Sequence, residues 1–226
     1  MERLRPRLPV QRGDVLLVMP PVRKGGFKTY WPPLRLLVFI VLSLGFKDAL
    51  ADEIGEVQVF LTPTEAIREI FEGMATVDTI QTELSTEEIE RISTEIGQFS
   101  ADSSLVVLVP RGENGDTLGY AVIDEEIGKY RPITFMVGTH PDLSIRGVEI
   151  LVYRESRGGE VRRQRFLRQY RGKKTENPIQ LNRDILNIAG ATLSVRALNH
   201  GIKRVLASLT MVAARQHRQL EQRVDP

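Results

Sequence analysis

The 226 residues include no cysteine. That absence excludes structural disulfides, thiolate-ligated zinc, iron–sulfur clusters and c-type haem attachment. It also excludes a lipoprotein anchor, which carries its lipid on a cysteine. Any redox role therefore needs a cofactor held by other atoms. Histidine is scarce, with three in the chain, and His140 and His200 make no metal-ligand spacing with Glu149 or Asp142. No glycine-rich dinucleotide loop follows a strand, so the chain is not expected to bind NAD itself. The apolar run LLVFIVLSLGF, residues 36–46, is 11 residues long, short of the roughly 20 that a bilayer-crossing helix requires.

That run nonetheless has a setting. Arg23, Lys24, Lys28 and Arg35 precede it, and Ala49-Leu50-Ala51 follows with the small-x-small pattern of a signal-peptidase site. Residues 1–51 read as an N-terminal extension and export signal, cleaved after Ala51, which places the mature protein in the periplasm or on the outer face of the membrane. Met19 makes the more usual start for such a signal, and the first eighteen residues are expected not to be translated. The overall charge of +2 mixes two regions: residues 1–51 carry nine basic and three acidic residues, leaving 22 basic and 26 acidic residues in the body.

The body opens with two helix signals. Thr62-Pro63-Thr64-Glu65 joins a capping hydroxyl, a first-turn proline and a capping-box glutamate, with Ala66, Ile67, Ile70, Phe71 and Met74 behind it on one face. Ser85-Thr86-Glu87-Glu88 repeats the signal before Ile89, Ile92 and Ile96, and Gly97 ends that helix. The period then changes. Residues 104–110, 118–126, 133–139 and 148–155 are rich in β-branched and aromatic residues, and short turns separate them, which favours antiparallel neighbours. A third helix is expected over 160–170, stopped by Gly172. A fourth starts near Ser194 with Val195, Leu198, Ile202, Val205 and Leu209 on its apolar face, and the polar tail from Arg215 is expected to fray. The fold class is α+β, a mostly antiparallel twisted sheet with packed helices. The expected organisation is a helical segment over 52–98, one domain over 99–210, and a polar tail over 211–226.

The chemistry gathers at IAGATLSVRAL, residues 188–198. Small residues at the mouth of a helix leave room for an anion against exposed backbone N–H groups and the positive end of the helix dipole. Taken alone, Thr192 and Ser194 also read as helix caps. Companion patterns accompany the motif: Gly119-Tyr120-Ala121, Gly128-Lys129, Pro132-Ile133, Val137-Gly138, Ile145 and Gly147-Val148 come first. Glu155-Ser156-Arg157-Gly158 and Phe166-Leu167-Arg168-Gln169-Tyr170-Arg171-Gly172-Lys173 follow them. In this order, closing on Gly-Ala-Thr-x-Ser, residues 100–208 resemble the FMN-binding domain family. That family includes the G subunit of the Rnf electron-transport complex and the C subunit of sodium-translocating NADH:quinone reductase.

The resemblance implies a single FMN-binding domain in which Thr192 carries FMN through a phosphoester, installed from FAD by a separate flavin transferase. It implies further cofactor contacts from Gly190, Ala191, Leu193, Ser194, Glu155 and Ser156. Two positions depart from the family pattern: Ala189 stands where the family usually has Ser or Thr, and Leu186 where it often has Asp. The implied role is an extracytoplasmic electron relay, more a carrier or redox-complex component than a stand-alone enzyme. Its partners would be a membrane redox complex or other electron-transfer proteins. Two other readings compete: an exported cofactor-free binding or scaffold module of the same fold, and a reductase using Tyr120, Glu155 and Arg157. Residues 154–174 carry nine basic residues against two acids. With Phe166 and Tyr170 as the only interleaved aromatics, that run suits acidic redox partners or peripheral contact with anionic lipid rather than nucleic acid.

Overall fold

A computed structural model describes residues 57–97 and 103–224, with side chains through residue 216. The expected signal segment, its cleavage site and the alternative start lie outside the described residues.

Six antiparallel strands form one sheet in the order β1-β6-β5-β4-β3-β2. The strands are β1 (Gln58–Val59), β2 (Thr76–Glu83), β3 (Ser104–Arg111), β4 (Tyr120–Ile127), β5 (Pro132–Thr139) and β6 (Ile145–Tyr153). The helices are α1 (Pro63–Ile70), α2 (Thr86–Ile96), α3 (Gln164–Leu167) and α4 (Thr192–Val224). This is the α+β class expected. Both N-terminal helices carry complete capping boxes: Glu65 reaches back to the Thr62 N–H at 2.7 Å, and Glu88 to the Ser85 N–H at 2.9 Å.

The sheet is covered on both sides because successive residues of a strand face opposite ways. Phe135 and Val137 face α4, packing in one cluster with Val195, Leu198, Ile202 and Leu206. Met136, between them, belongs to the opposite cluster with Ala66, Ile67, Ile70 and Phe71 of the α1 region. Glycine makes that second contact possible. A Cβ on Gly138 would stand 2.4 Å from Ile70 Cγ2 and 2.8 Å from Phe71 Cε2. Its cross-strand partner Gly147 lies beneath the same isoleucine.

Three features differ from the sequence reading. The segment 52–98 is not wholly helical: β1 pairs with β6 and β2 with β3, so it supplies both edges of the sheet. The expected helix over 160–170 is split into a 3₁₀ turn at Gly159–Arg162, α3, and a second 3₁₀ turn at Arg168–Tyr170. Arg163, extended at φ −64° and ψ 128°, makes the break. Even so, Phe166 and Tyr170 meet edge to face, with ring centroids 5.7 Å apart. The tail expected to fray from Arg215 continues the helix to Val224. Arg215 itself is anchored, donating to the Glu83 carbonyl, Glu88 and Thr82.

Between β3 and β4 the ladder has one registered pair, Leu108 with Ala121, and then opens. A cavity of about 540 Å³ lies in the parting, lined by residues 104–106, 122–127 and the α4 side chains of His200 and Arg204. Arg204 stitches the free edge, donating to Asp124 at 2.9 Å, Glu126 at 2.6 Å and the Glu125 carbonyl at 2.8 Å. Asp124 in turn accepts the Glu125 N–H, so this stretch of open strand edge is satisfied by side chains. Burial raises the Asp124 carboxyl above its usual range against the pull of Arg204. His200 joins the cluster through Glu126 at 2.9 Å. It is half-buried in this cluster.

Candidate functional site

The start of α4 is set by its neighbours. Gly190 adopts φ +83°, a left-handed conformation that admits glycine at little cost, and this turns the chain into the helix. Ala191 is the residue before the first helical position, and its carbonyl accepts the first helical bond from the Val195 N–H at 2.9 Å. Alanine has no side chain with which to cap. Thr192 and Ser194 are therefore helical residues rather than caps. The N–H groups of Thr192, Leu193 and Ser194 have no acceptor among the described residues. Three aligned donors at the positive end of a long helix form a ready site for phosphate.

These residues form one wall of a cavity of about 560 Å³. The opposite walls are Glu155, Ser156 and Arg157 from the loop after β6, and Lys129 and Tyr130 from the β4–β5 turn. All seven residues singled out in the sequence, Gly190, Ala191, Thr192, Leu193, Ser194, Glu155 and Ser156, line this single space. It lies within the range of roughly 300–1,000 Å³ common for cofactor and ligand pockets.

Each side chain has a distinct position. The Thr192 hydroxyl is on the exposed side and accepts a hydrogen bond from Asn187 Nδ2 at 2.9 Å. Asn187 is itself oriented by accepting the Ile188 N–H. The Ser194 hydroxyl is buried and lies 2.8 Å from the Tyr153 phenol. That phenol has one proton and donates it to the Arg157 carbonyl, so Ser194 is the donor toward Tyr153. Burial, aided by the nearby Glu155 and Glu160, raises the Tyr153 pKa and keeps the phenol protonated. The trio ties the end of β6, the loop after it and the mouth of α4 into one rigid corner. Gly158, at φ +93°, completes it, since a Cβ there would stand 2.6 Å from both the Ser194 and Tyr153 oxygens.

Glu155 is committed to the backbone. Its Oε1 accepts the N–H groups of Tyr130 at 2.7 Å and Arg131 at 3.1 Å. A Cβ on Gly128 would meet the same oxygen at 2.6 Å. Glu155 thus holds the turn that presents Tyr130, which is 62% exposed, with the Lys129 ammonium 4.5 Å from its ring centroid. Behind the helix mouth, Asp184 braces the approach. It pairs with Lys173 at 2.8 Å and accepts the N–H groups of Ile179 and Gln180. Leu186, where the family pattern often has Asp, is 74% exposed.

Tyr120, proposed with Glu155 and Arg157 for a reductase, is not among the cavity's residues and packs against the main core. The sequence reading did not assign Lys129, Tyr130 or Asn187 to the cofactor. The first two adjoin the quoted Gly128-Lys129 pattern, which gave a signal. Asn187 had none beyond its nearness to Thr192.

The fold and cavity together define a small α+β ligand-binding protein whose cleft offers phosphate donors at one end and an aromatic at the other. Residues 128–207 match the family model of the FMN-binding domain, which supports flavin binding by this part of the chain. No curated protein matches the chain. The residues present suit FMN. The unpaired amides and Thr192 hydroxyl would hold its phosphate, and the space toward Lys129, Tyr130 and Arg157 would take the ring system.

Proposed function

We propose that this protein is an exported electron carrier whose FMN is joined to Thr192 through a phosphoester. One observation carries the reading: a half-buried threonine stands beside three unpaired helix amides, on the wall of a cavity of about 560 Å³. FMN, when bound, supplies one- and two-electron chemistry. The chain's own part is to bind, orient and protect. The amides neutralise phosphate charge, Asn187 holds the Thr192 oxygen at the rim, and Glu155 fixes the turn bearing Tyr130.

Attachment requires a flavin transferase acting on FAD. Thr192 Oγ1 forms the new bond to phosphorus, the diphosphate bond of FAD breaks, and AMP departs with the hydroxyl proton. Asn187 is a neutral donor here and cannot accept that proton, so the base belongs to the transferase. The half-buried position of Thr192 on the cavity wall supports access by a second protein. A phosphoester also retains the flavin outside the cytoplasm, where a dissociated cofactor is lost. Export itself rests on the basic, apolar and small-residue succession before residue 52. The donor and acceptor would be a membrane redox complex and other electron-transfer proteins.

Mass spectrometry of the protein coexpressed with a flavin transferase tests both points. The mature chain is expected to begin at Asp52, to be yellow, and to exceed the polypeptide mass by one FMN less one water. Thr192→Val should remove that increment. A colourless protein of unmodified mass would leave the cofactor-free scaffold reading in its place, and colour lost on denaturation would mean FMN held without a bond.

A further inference from the structure

Beside the cavity, and sharing Glu155, Ser156 and Arg157 with it, lies a hollow of about 240 Å³. Arg157, Arg162 and Arg163 line it together with the backbone of Gly158 and Gly159. Arg162 is steadied by the Phe60 ring, 4.6 Å from its guanidinium carbon. Arg157, Arg163 and Arg165 are exposed, and their guanidinium groups have no hydrogen bond or ion pair among the described residues. Two carboxylates stand in the hollow with the arginines, Glu160 and Glu155, the latter with one oxygen held by the turn amides.

The surrounding charge sharpens this feature. Residues 154–174 hold nine basic and two acidic residues, while the rest of the chain after residue 51 holds 13 basic and 24 acidic. The body is thus acidic outside this segment; within it Arg154, Lys173 and Lys174 pair with Glu125, Asp184 and Asp142, while Arg157 reaches the cavity mouth and Arg162 and Arg163 the hollow beside it. Such segregation steers association with a partner of opposite charge and fixes its orientation. No large apolar side chain between 154 and 174 is exposed, so this surface offers nothing to insert into a bilayer. Apolar groups lie instead at the mouth itself, where Tyr130 and Leu193 are 62% and 45% exposed. An apolar centre beside a charged rim is the anatomy of a protein contact. Planar guanidinium groups match carboxylates through paired hydrogen bonds.

From these observations we infer that the arginine surface formed by Arg157, Arg162, Arg163 and Arg165 docks an acidic protein partner over the cavity mouth. One partner carboxylate sits in the arginine-lined hollow. The inference rests on the flavin reading for its purpose, since a partner seated there lies against the proposed redox site. The contact is measurable without the cofactor.

The test uses the mature chain, with and without FMN, and an acidic ferredoxin as the probe in isothermal titration. Binding is expected in both forms and should weaken steeply from low salt to 0.5 M salt, as exposed charges are screened. Arg163→Glu with Arg165→Glu, both outside the flavin cavity, should weaken it by about tenfold or more. The double glutamine variant should lie between the two, and Arg91→Glu on α2 should bind like the parent. Circular dichroism confirms that each variant is folded. Absence of ferredoxin binding, or equal binding by the double glutamate variant, overturns the inference. So does preferential flotation with phosphatidylglycerol vesicles, which would assign the surface to a membrane. A colourless protein that still binds ferredoxin in this salt-dependent way would retain the docking surface and remove the flavin reading.

Discussion

At the scale of single residues, the site depends on positions where a side chain would be in the way. Gly158 is the sharpest case, because two independent requirements meet there. Its φ of +93° lies in the left-handed region, and an added Cβ would stand 2.6 Å from both the Ser194 hydroxyl and the Tyr153 phenol. Gly190 has only the first requirement, with φ +83° and open space around an added Cβ. Gly158→Ala is therefore expected to be the more damaging exchange, since it strains the backbone and breaks the Tyr153–Ser194 bond as well. Strained left-handed residues cost about 1–3 kcal/mol, and the lost bond adds about 1 kcal/mol. Urea denaturation of the two alanine variants should rank them in that order. Equal losses would mean that the corner relaxes around the new methyl group.

At the scale of elements, legibility followed the strength of local chemistry. Both capping boxes were legible because Thr62 and Ser85 each stand three residues before a glutamate, and α4 was legible from its apolar stripe. Strand β2 was not. Its residues, TVDTIQTE, are almost all exposed because it forms the edge of the sheet with neither face deeply covered. It therefore carries no alternating apolar signature. The break at Arg163 was hidden for a related reason, since Val161, Phe166 and Tyr170 keep an apolar pattern through three short turns that bury them all the same. The site showed the same division. Gly-Ala-Thr-x-Ser is a local motif, whereas the meeting of Glu155 with the Tyr130 and Arg131 amides joins residues 24 and 25 apart. The segment between α3 and α4 yields a pH prediction at this scale. Burial of Asp184 works to raise its pKa, but Lys173 and the Gln180 and Ile179 amides outweigh it and hold the carboxyl below its ordinary value. A carboxylate with a depressed folded pKa contributes stability that is fully present above the unfolded value near 3.9 and is lost as pH falls through the folded one. Unfolding free energy should thus decline on acidification below about pH 4. Asp184→Asn should be less stable at pH 7, with a shallower acid limb, when urea midpoints are compared across pH.

At the scale of the whole molecule, the FMN-binding match and the folded unit have different boundaries. The match covers residues 128–207, whereas strands β1 to β4 and helices α1 and α2 lie wholly before it. Those elements are not an appendage. Ile67, Ile70 and Phe71 bury the face of the sheet opposite α4, and Gly138 and Gly147 are shaped to receive them. Arg146 reinforces the seat by donating to the Ile70 carbonyl at 2.9 Å. Strand β6 also sits beside β1, which protects part of an otherwise open edge. Removing residues 57–97 would uncover Met136, Leu151 and Ala121 on one face and leave the β3 edge without β2. Fully burying an apolar side chain is worth about 1.5–3 kcal/mol. For Met136 and Leu151 together that is about 3–6 kcal/mol, a large part of the 5–15 kcal/mol by which an ordinary domain is stable. A chain starting at residue 103 is therefore expected to be unfolded or aggregated even with its flavin motif intact. Light scattering and a hydrophobic dye should report the exposed face, and no FMN should be retained. A monomeric, cooperatively folding fragment that binds FMN would mean that α4 and its side of the sheet suffice, and that the N-terminal half serves some end other than holding the site together.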